Sequence, residues 1–203
     1  MSTRICLDLC SYADARKPVT FSTVAAQPDH HQRTALSLRP LELADAGRVY
    51  EWASDERACR YQPWGPATRE ETEDFVADAV RASGRADGSR RVWAATSPDL
   101  DVVGIGEVKR VTSTCAEIGY AVHVEQWGRG FGTQIARLLL GVAFADPVVE
   151  RVQGTCDPRN LASVSVLQNA GLLYEGTMRH TAHLRDGWRD SAMHAILRGE
   201  WSA

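Results

Sequence analysis

Trp127-Gly-Arg-Gly-Phe-Gly-Thr133 follows an alternating apolar stretch, Ala116-Glu-Ile-Gly-Tyr-Ala-Val-His-Val124, and precedes about twelve residues of helical character, Thr133 to Phe144. A glycine-rich turn between a strand and a helix converges successive backbone amides on a helix N-terminus, where an anion is favoured. A dinucleotide fingerprint needs G-x-G-x-x-G, yet the third glycine position is Thr133; a P-loop needs a lysine after its last glycine, and none follows. The turn by itself is consistent with a phosphate or pyrophosphate site or with a tight turn holding no ligand.

Upstream of the turn, Leu36, Leu38 and Leu41 fit a strand that leads into a helix with Ala46, Val49, Tyr50 and Ala53 at helical spacing. Thr68 and Glu71 form the capping-box pattern that opens a second helix, with Phe75, Val76, Ala79 and Val80 as its apolar face. Arg91–Thr96, Val102–Val108 and Ala116–Val124 read as strands joined by short turns, so they are expected to be antiparallel neighbours. Downstream, Val149–Thr155 reads as a strand and Asn160–Asn169 as a helix. Two strands, about 172–183 and 188–198, surround the turn Arg185-Asp-Gly187. Helices at both ends of a run of antiparallel strands give a mixed α/β domain with one central sheet.

The 203 residues are 44% apolar and 24% charged, with a formal net charge of −3. A core is affordable, disorder is excluded, and a nucleic-acid binder is disfavoured because phosphate contacts need a basic excess. No run approaches the roughly 18 apolar residues of a membrane span, and Asp8 breaks the N-terminal run too early for a signal peptide. A soluble, cytoplasmic protein is expected. The five cysteines (Cys6, Cys10, Cys59, Cys115, Cys156) contain no C-x-x-C pair. A zinc site from Cys6, Cys10, His30 and His31 fits no common spacing, so free thiols are expected. Residues 1–35 show neither helical nor strand period and read as an irregular leader, with the working domain at 36–203.

The ordered segments Leu38-Arg-Pro-Leu, Asp45-Ala, Glu117-Ile-Gly-Tyr, Trp127-Gly-Arg-Gly-Phe-Gly-Thr, Asn160-Leu-Ala-Ser-Val-Ser-Val-Leu, Ala170-Gly-Leu, Glu175-Gly and Trp188-Arg-Asp resemble the GNAT superfamily of acyl-CoA N-acyltransferases, and more narrowly its RimJ/RimL-type branch. The resemblance covers about residues 36–201. It implies an α/β (α+β) GNAT fold: a twisted, mostly antiparallel sheet flanked by helices, whose fourth and fifth strands splay apart around acetyl-CoA. It implies no metal, and relatives include monomers and homodimers. Trp127 stands where the superfamily's pyrophosphate motif usually has Gln or Arg. Gly128, Arg129, Gly130, Phe131, Gly132 and Thr133 would hold the pyrophosphate, and the backbone at Val122 to Val124 would polarise the thioester. Asn160 and Ser163 would meet the pantetheine or acetyl region, although Asn160 also reads as an ordinary N-cap.

Transfer to an amine needs a base, because an amine of pKa near 8 to 10 is protonated at neutral pH. Glu117 is the first choice, matching a position where some superfamily members carry a catalytic glutamate; Glu175, Asp190 and Glu107 are weaker alternatives. Many members place a thiolate-protonating tyrosine four residues before the glycine of Ala170-Gly171. Here that residue is Leu167, which leaves Ser163, Ser165 or water. Tyr61, Trp64, His180, His183 and Trp188 are candidates for the mouth of the acceptor site, or for core packing and a solvated hairpin face. The expected activity is transfer of the acetyl group of acetyl-CoA to a primary amine, on a protein or peptide N-terminus or a small molecule. A non-catalytic acyl-CoA-binding module, or an antibiotic- or polyamine-modifying enzyme using acetyl or another acyl group, is the alternative.

Overall fold

The computed structural model describes residues 35–202; residues 1–34, with Cys6, Cys10, His30 and His31, lie outside the described residues. Seven strands form one sheet: β1 (Ser37–Pro40), β2 (Arg90–Thr96), β3 (Val102–Arg110), β4 (Cys115–Val122), β5 (Arg151–Cys156), β6 (Leu173–Leu184) and β7 (Gly187–Leu197). Their order across the sheet is β1-β2-β3-β4-β5-β7-β6, and every neighbouring pair is antiparallel except β4 and β5. The helices are α1 (Ala46–Ala53), α2 (Glu56–Cys59), α3 (Arg69–Ser83), α4 (Phe131–Phe144) and α5 (Leu161–Ala170). The mixed α/β architecture is the expected one.

Strand alternation divides the apolar side chains between two layers. On one face Val92, Ala94 and Val102 pack with Val49 and Trp52 of α1 and Val76 and Ala79 of α3. On the other, Ala95, Val103, Ala116, Ile118 and Val152 pack with Ile135, Leu139 and Leu140 of α4 and Leu167 of α5. Gly106 lets α4 come close, since a Cβ there would stand 2.9 Å from a Leu139 methyl. The Thr68/Glu71 box forms as read: the Thr68 amide donates to the Glu71 carboxylate at 2.7 Å and the Glu71 amide to Thr68 Oγ1 at 3.2 Å.

The parallel β4–β5 pairing is short. It joins Cys115 to Arg151, Ala116 to Val152 and Glu117 to Gln153, and goes no further. Beyond Glu117 the two strands part, as the resemblance implies, while β5 continues its pairing with β7 up to Cys156 opposite Ala192. The gap is therefore bounded by Ile118–Val122 on one side and Gly154–Cys156 on the other.

Several boundaries differ from the sequence reading. The fourth strand ends at Val122, because the buried His123 caps a 3-10 turn at Val124–Gln126, its ring accepting the Glu125 amide at 3.2 Å. The helix expected from Thr133 begins at Phe131, placing Gly132 in its first turn. The short α2 was not foreseen; Asp55 caps it by accepting the Arg57 amide at 2.8 Å. No helix among the described residues is long and apolar enough to cross a membrane.

Candidate active site

Two cavities open where β4 and β5 part. One, of about 710 Å³, lies on the α1–α3 side and the other, of about 750 Å³, lies toward α4 and α5. Both are lined by Tyr61, Gln62, Trp64, Tyr120, Ala121, Asn160 and Ser163, so they meet at the edge of β4 facing the start of α5.

The larger cavity is built on the glycine turn. Gly128 (φ 77°) and Gly130 (φ 78°) both take left-handed conformations that a side chain would oppose. The third glycine, Gly132, serves packing: a Cβ would stand 3.0 Å from Val166 of α5. The first intrahelical bond of α4 runs from the Gln134 amide to the Gly130 carbonyl at 3.2 Å. The amides of Phe131, Gly132 and Thr133 therefore have no intrahelical acceptor and converge on the turn. The Trp127 indole donates to the Val122 carbonyl at 2.9 Å, tying the turn to the end of β4.

Among the residues expected at the coenzyme, Val122, Trp127, Gly128, Gly130, Phe131, Gly132, Asn160 and Ser163 line this cavity. Val124 is buried in its 3-10 turn and does not. The Arg129 side chain turns away, donating to Gln126 Oε1 at 2.6 Å with its guanidinium 5.0 Å from the centre of the Phe131 ring. Thr133 contributes its position in the first turn, not a lining side chain. Asn160 is an N-cap, its Oδ1 accepting the Ser163 amide at 3.2 Å, and it lines both cavities as well.

The smaller cavity has an aromatic and aliphatic wall of Trp52, Tyr61, Trp64, Phe75 and Ile105, into which Glu71, Glu107, Asp157 and Arg189 also reach. Glu107 stands opposite Gly119 in the β3–β4 register, and Arg90 Nε and Nη2 each donate to its carboxylate at 3.1 Å. Asp157, 1% exposed, is raised by burial, but the Arg159 guanidinium outweighs that and holds it below the usual carboxylate range. The roof is the loop between α2 and α3. Arg185 of the β6–β7 turn donates to the carbonyls of Cys59 (2.6 Å), Trp64 (3.2 Å) and Gly65, and Arg189 donates to that of Tyr61 at 3.3 Å.

Glu117 does not line this cavity. It sits at the last β4–β5 pair, where its carboxylate accepts from Gln153 Nε2 at 2.8 Å. Glu175 is in a surface ion pair with Arg151 at 2.6 Å, and Asp190 accepts the His180 amide at 2.9 Å on the hairpin. Glu107 is the strand carboxylate that faces the cavity. Tyr61 and Trp64 line both cavities, whereas His180, His183 and Trp188 line neither. His180 (φ 53°) lies in a register break of the exposed hairpin and stacks on Trp188 at 5.5 Å. Leu167 is buried, and Ser165 is turned back to the Leu161 carbonyl at 2.9 Å.

The sequence reading overlooked Tyr120. Its hydroxyl lies 3.3 Å from both Ser163 O and Ser163 Oγ, where the cavities join, and burial pushes the phenol well above its usual pKa. Cys59, Cys115 and Cys156 are free and buried, the last pushed up to about 11 by burial, so none has the character of a nucleophile. Among the described residues no group of His, Cys, Asp and Glu is arranged to hold a metal.

The acetyltransferase (GNAT) domain family matches residues 35–173. An uncharacterized N-acetyltransferase, YnaD of Bacillus subtilis, is 26% identical over 174 residues, covering 85% of this chain and 99% of its own. Among solved structures, Mycobacterium smegmatis RimJ in complex with CoA-disulfide superposes with a TM-score of 0.73 at 23% identity, over 83% of this chain and 84% of that one. The spermidine N-acetyltransferase of Vibrio cholerae in complex with CoA and spermine gives 0.70 at 18%, over 81% and 96%. These two structures are similar in fold. With the family match spanning strands β1 to β5 and the whole glycine turn, the chain belongs to the GNAT acetyltransferase family.

Proposed function

We propose that the protein transfers the acetyl group of acetyl-CoA directly to a primary amine bound beside it, as a RimJ/RimL-like N-acetyltransferase. The observation that carries this reading is the pair of cavities meeting at Tyr120, Ala121, Asn160 and Ser163 where β4 and β5 part. The donor supplies an activated thioester. The α4 amides and Gly128–Gly132 fit its pyrophosphate, because they offer converging donors with no competing acceptor. Asn160 and the end of β4 orient the acyl group toward the smaller cavity.

In that cavity the amine loses a proton and attacks the thioester carbon. The tetrahedral oxyanion collapses, the C–S bond breaks, and the departing thiolate takes a proton. Glu107 is assigned as the proton acceptor, because it is the carboxylate of the two strands that reaches the cavity and Gly119 leaves its approach open. Tyr120 is assigned as the proton donor to the thiolate. Its buried phenol stays protonated at working pH and stands at the junction where the sulfur must lie, which makes good the absence of a tyrosine at Leu167.

A thiol-release assay with acetyl-CoA and a panel of amines tests the reading. Amine-dependent release of coenzyme A is expected, and Tyr120→Phe lowers kcat by about tenfold to a thousandfold with little change in KM for acetyl-CoA. Acetyl-CoA binding without thiol release for any amine would overturn it in favour of a binding module.

A further inference from the structure

The charges in the wall of the smaller cavity are not equally engaged. Each of its carboxylates already accepts a hydrogen bond within the protein. Glu71 accepts the Thr68 amide at 2.7 Å in the α3 capping box. Both Glu107 oxygens accept from Arg90 at 3.1 Å. Asp157 accepts the Arg159 amide at 2.8 Å and the Arg159 guanidinium at 2.7 Å. Arg189 differs. Its Nη groups donate to neutral oxygens, the Tyr61 carbonyl at 3.3 Å and Ser191 Oγ at 3.0 Å, and its Nε is buried without any partner. Asp157 lies in the field of Arg189 but makes its hydrogen bonds to Arg159. The cavity thus presents a guanidinium that has no carboxylate bonded to it, in a wall whose three carboxylates already accept hydrogen bonds from other groups of the chain.

A polycationic acceptor is poorly matched to such a wall. Its ammonium groups would compete with the donors already on those carboxylates, and they would meet Arg189 as a like charge. An acceptor bearing an anionic group answers both features, since a carboxylate pairs with a guanidinium through charge-assisted bonds to its remaining Nη hydrogens. The volume, about 710 Å³, and the walls of Trp52, Tyr61, Trp64 and Phe75 suit a small apolar body. We propose that the acceptor is a zwitterionic amine of amino-acid size, with an apolar side chain and a carboxylate that Arg189 recognises. This rests on the acetyl-transfer reading above and names the substrate class of that site.

The test measures thiol release from acetyl-CoA with apolar L-amino acids (phenylalanine, leucine, methionine), the matching amino-acid amides, and spermidine. For the best of these acceptors the acid is expected to exceed its amide by about 10- to 100-fold in kcat/KM, the worth of a hydrogen bond to a charged group. Arg189→Met brings that ratio close to one, and Arg189→Lys restores part of it. An acid-to-amide ratio of one in the wild type, a preference for spermidine, or a ratio that survives Arg189→Met would overturn the proposal. The wild-type ratio decides even if the variants fold poorly. If acetyl-CoA raises the melting temperature and spermidine is acetylated, only the substrate class has failed; if no amine releases thiol, the transfer reading itself has failed.

Discussion

His194 makes the fold sensitive to mild acid. It lies on β7 opposite Gly154 of β5, is 0% exposed, and has no hydrogen-bond partner at either ring nitrogen. Its close ring neighbour is Tyr174 at 5.4 Å, and Ala192 and Ile196 flank it on the same face. Burial among apolar groups disfavours the charged ring, so the imidazole is held below its ordinary value of 6.5. Above that pH neither the folded nor the unfolded chain binds a proton here, and stability is unaffected. As pH falls through 6.5 the unfolded chain takes up a proton that the folded chain refuses, and stability drops until the lower folded pKa is reached. The loss is bounded by the case of a ring that takes no proton in the fold, RT ln(1 + 10), at most about 1.4 kcal/mol at pH 5.5 and about 2 kcal/mol at pH 5. In a domain of this size that is roughly 3–8 °C in Tm. His194→Leu keeps similar volume and removes the titration, while every other ionisable group is shared with the wild type. Urea unfolding from pH 7.5 to 5, followed by circular dichroism, should show the variant gaining on the wild type as pH falls, by up to about 1.4 kcal/mol between pH 7.5 and 5.5. A difference between the two proteins that is constant with pH would refute the reasoning.

Gly119→Leu should separate folding from catalysis: a Cβ there meets nothing closer than Glu107 Cβ at 4.0 Å, yet the side chain enters the smaller cavity. Its thermal midpoint is expected within about 2 °C of the wild type and its kcat/KM for the amine at least tenfold lower, by melting and thiol release. Gly106→Val should do the opposite, destabilising by about 1–3 kcal/mol in urea, because the new side chain collides with Leu139 in the rigid α4 interface. The two strand carboxylates are distinguished by substitution: Glu107→Gln is expected to lower kcat by about a hundredfold, and Glu117→Gln to change kcat less than threefold. If Glu117→Gln proves the more damaging of the two, the base belongs at the β4–β5 junction after all.

That contrast shows where the sequence stopped being informative. Glu107 and Glu117 lie on neighbouring strands and, through the pairs Glu107–Gly119 and Lys109–Glu117, on the same sheet face. Alternation therefore could not separate them. What separates them is position along the sheet: Glu117 is at the last rung before β4 and β5 part, within reach of Gln153, while Glu107 stands beyond it, opposite a glycine that leaves the face open. That difference depends on register, which only the folded sheet supplies. The glycine turn and the Thr68/Glu71 box were legible because each is a local arrangement whose hydrogen bonds close within four residues. Arg189 was not, since its significance depends on the Tyr61 carbonyl 128 positions away and on Arg159 already occupying Asp157. Between the acceptor mouth and the solvated hairpin face, the two readings of His180 and Trp188, the sequence could not choose for a related reason. Aromatic residues on a hairpin resemble a binding mouth in one dimension, but β6 is the outer edge of the sheet, and the cavities open beyond β5 and β7 on the side away from it. Local turns, which a sequence displays, thus shape the larger cavity, while cross-sheet charge pairings, which it does not display, set the charge of the smaller one.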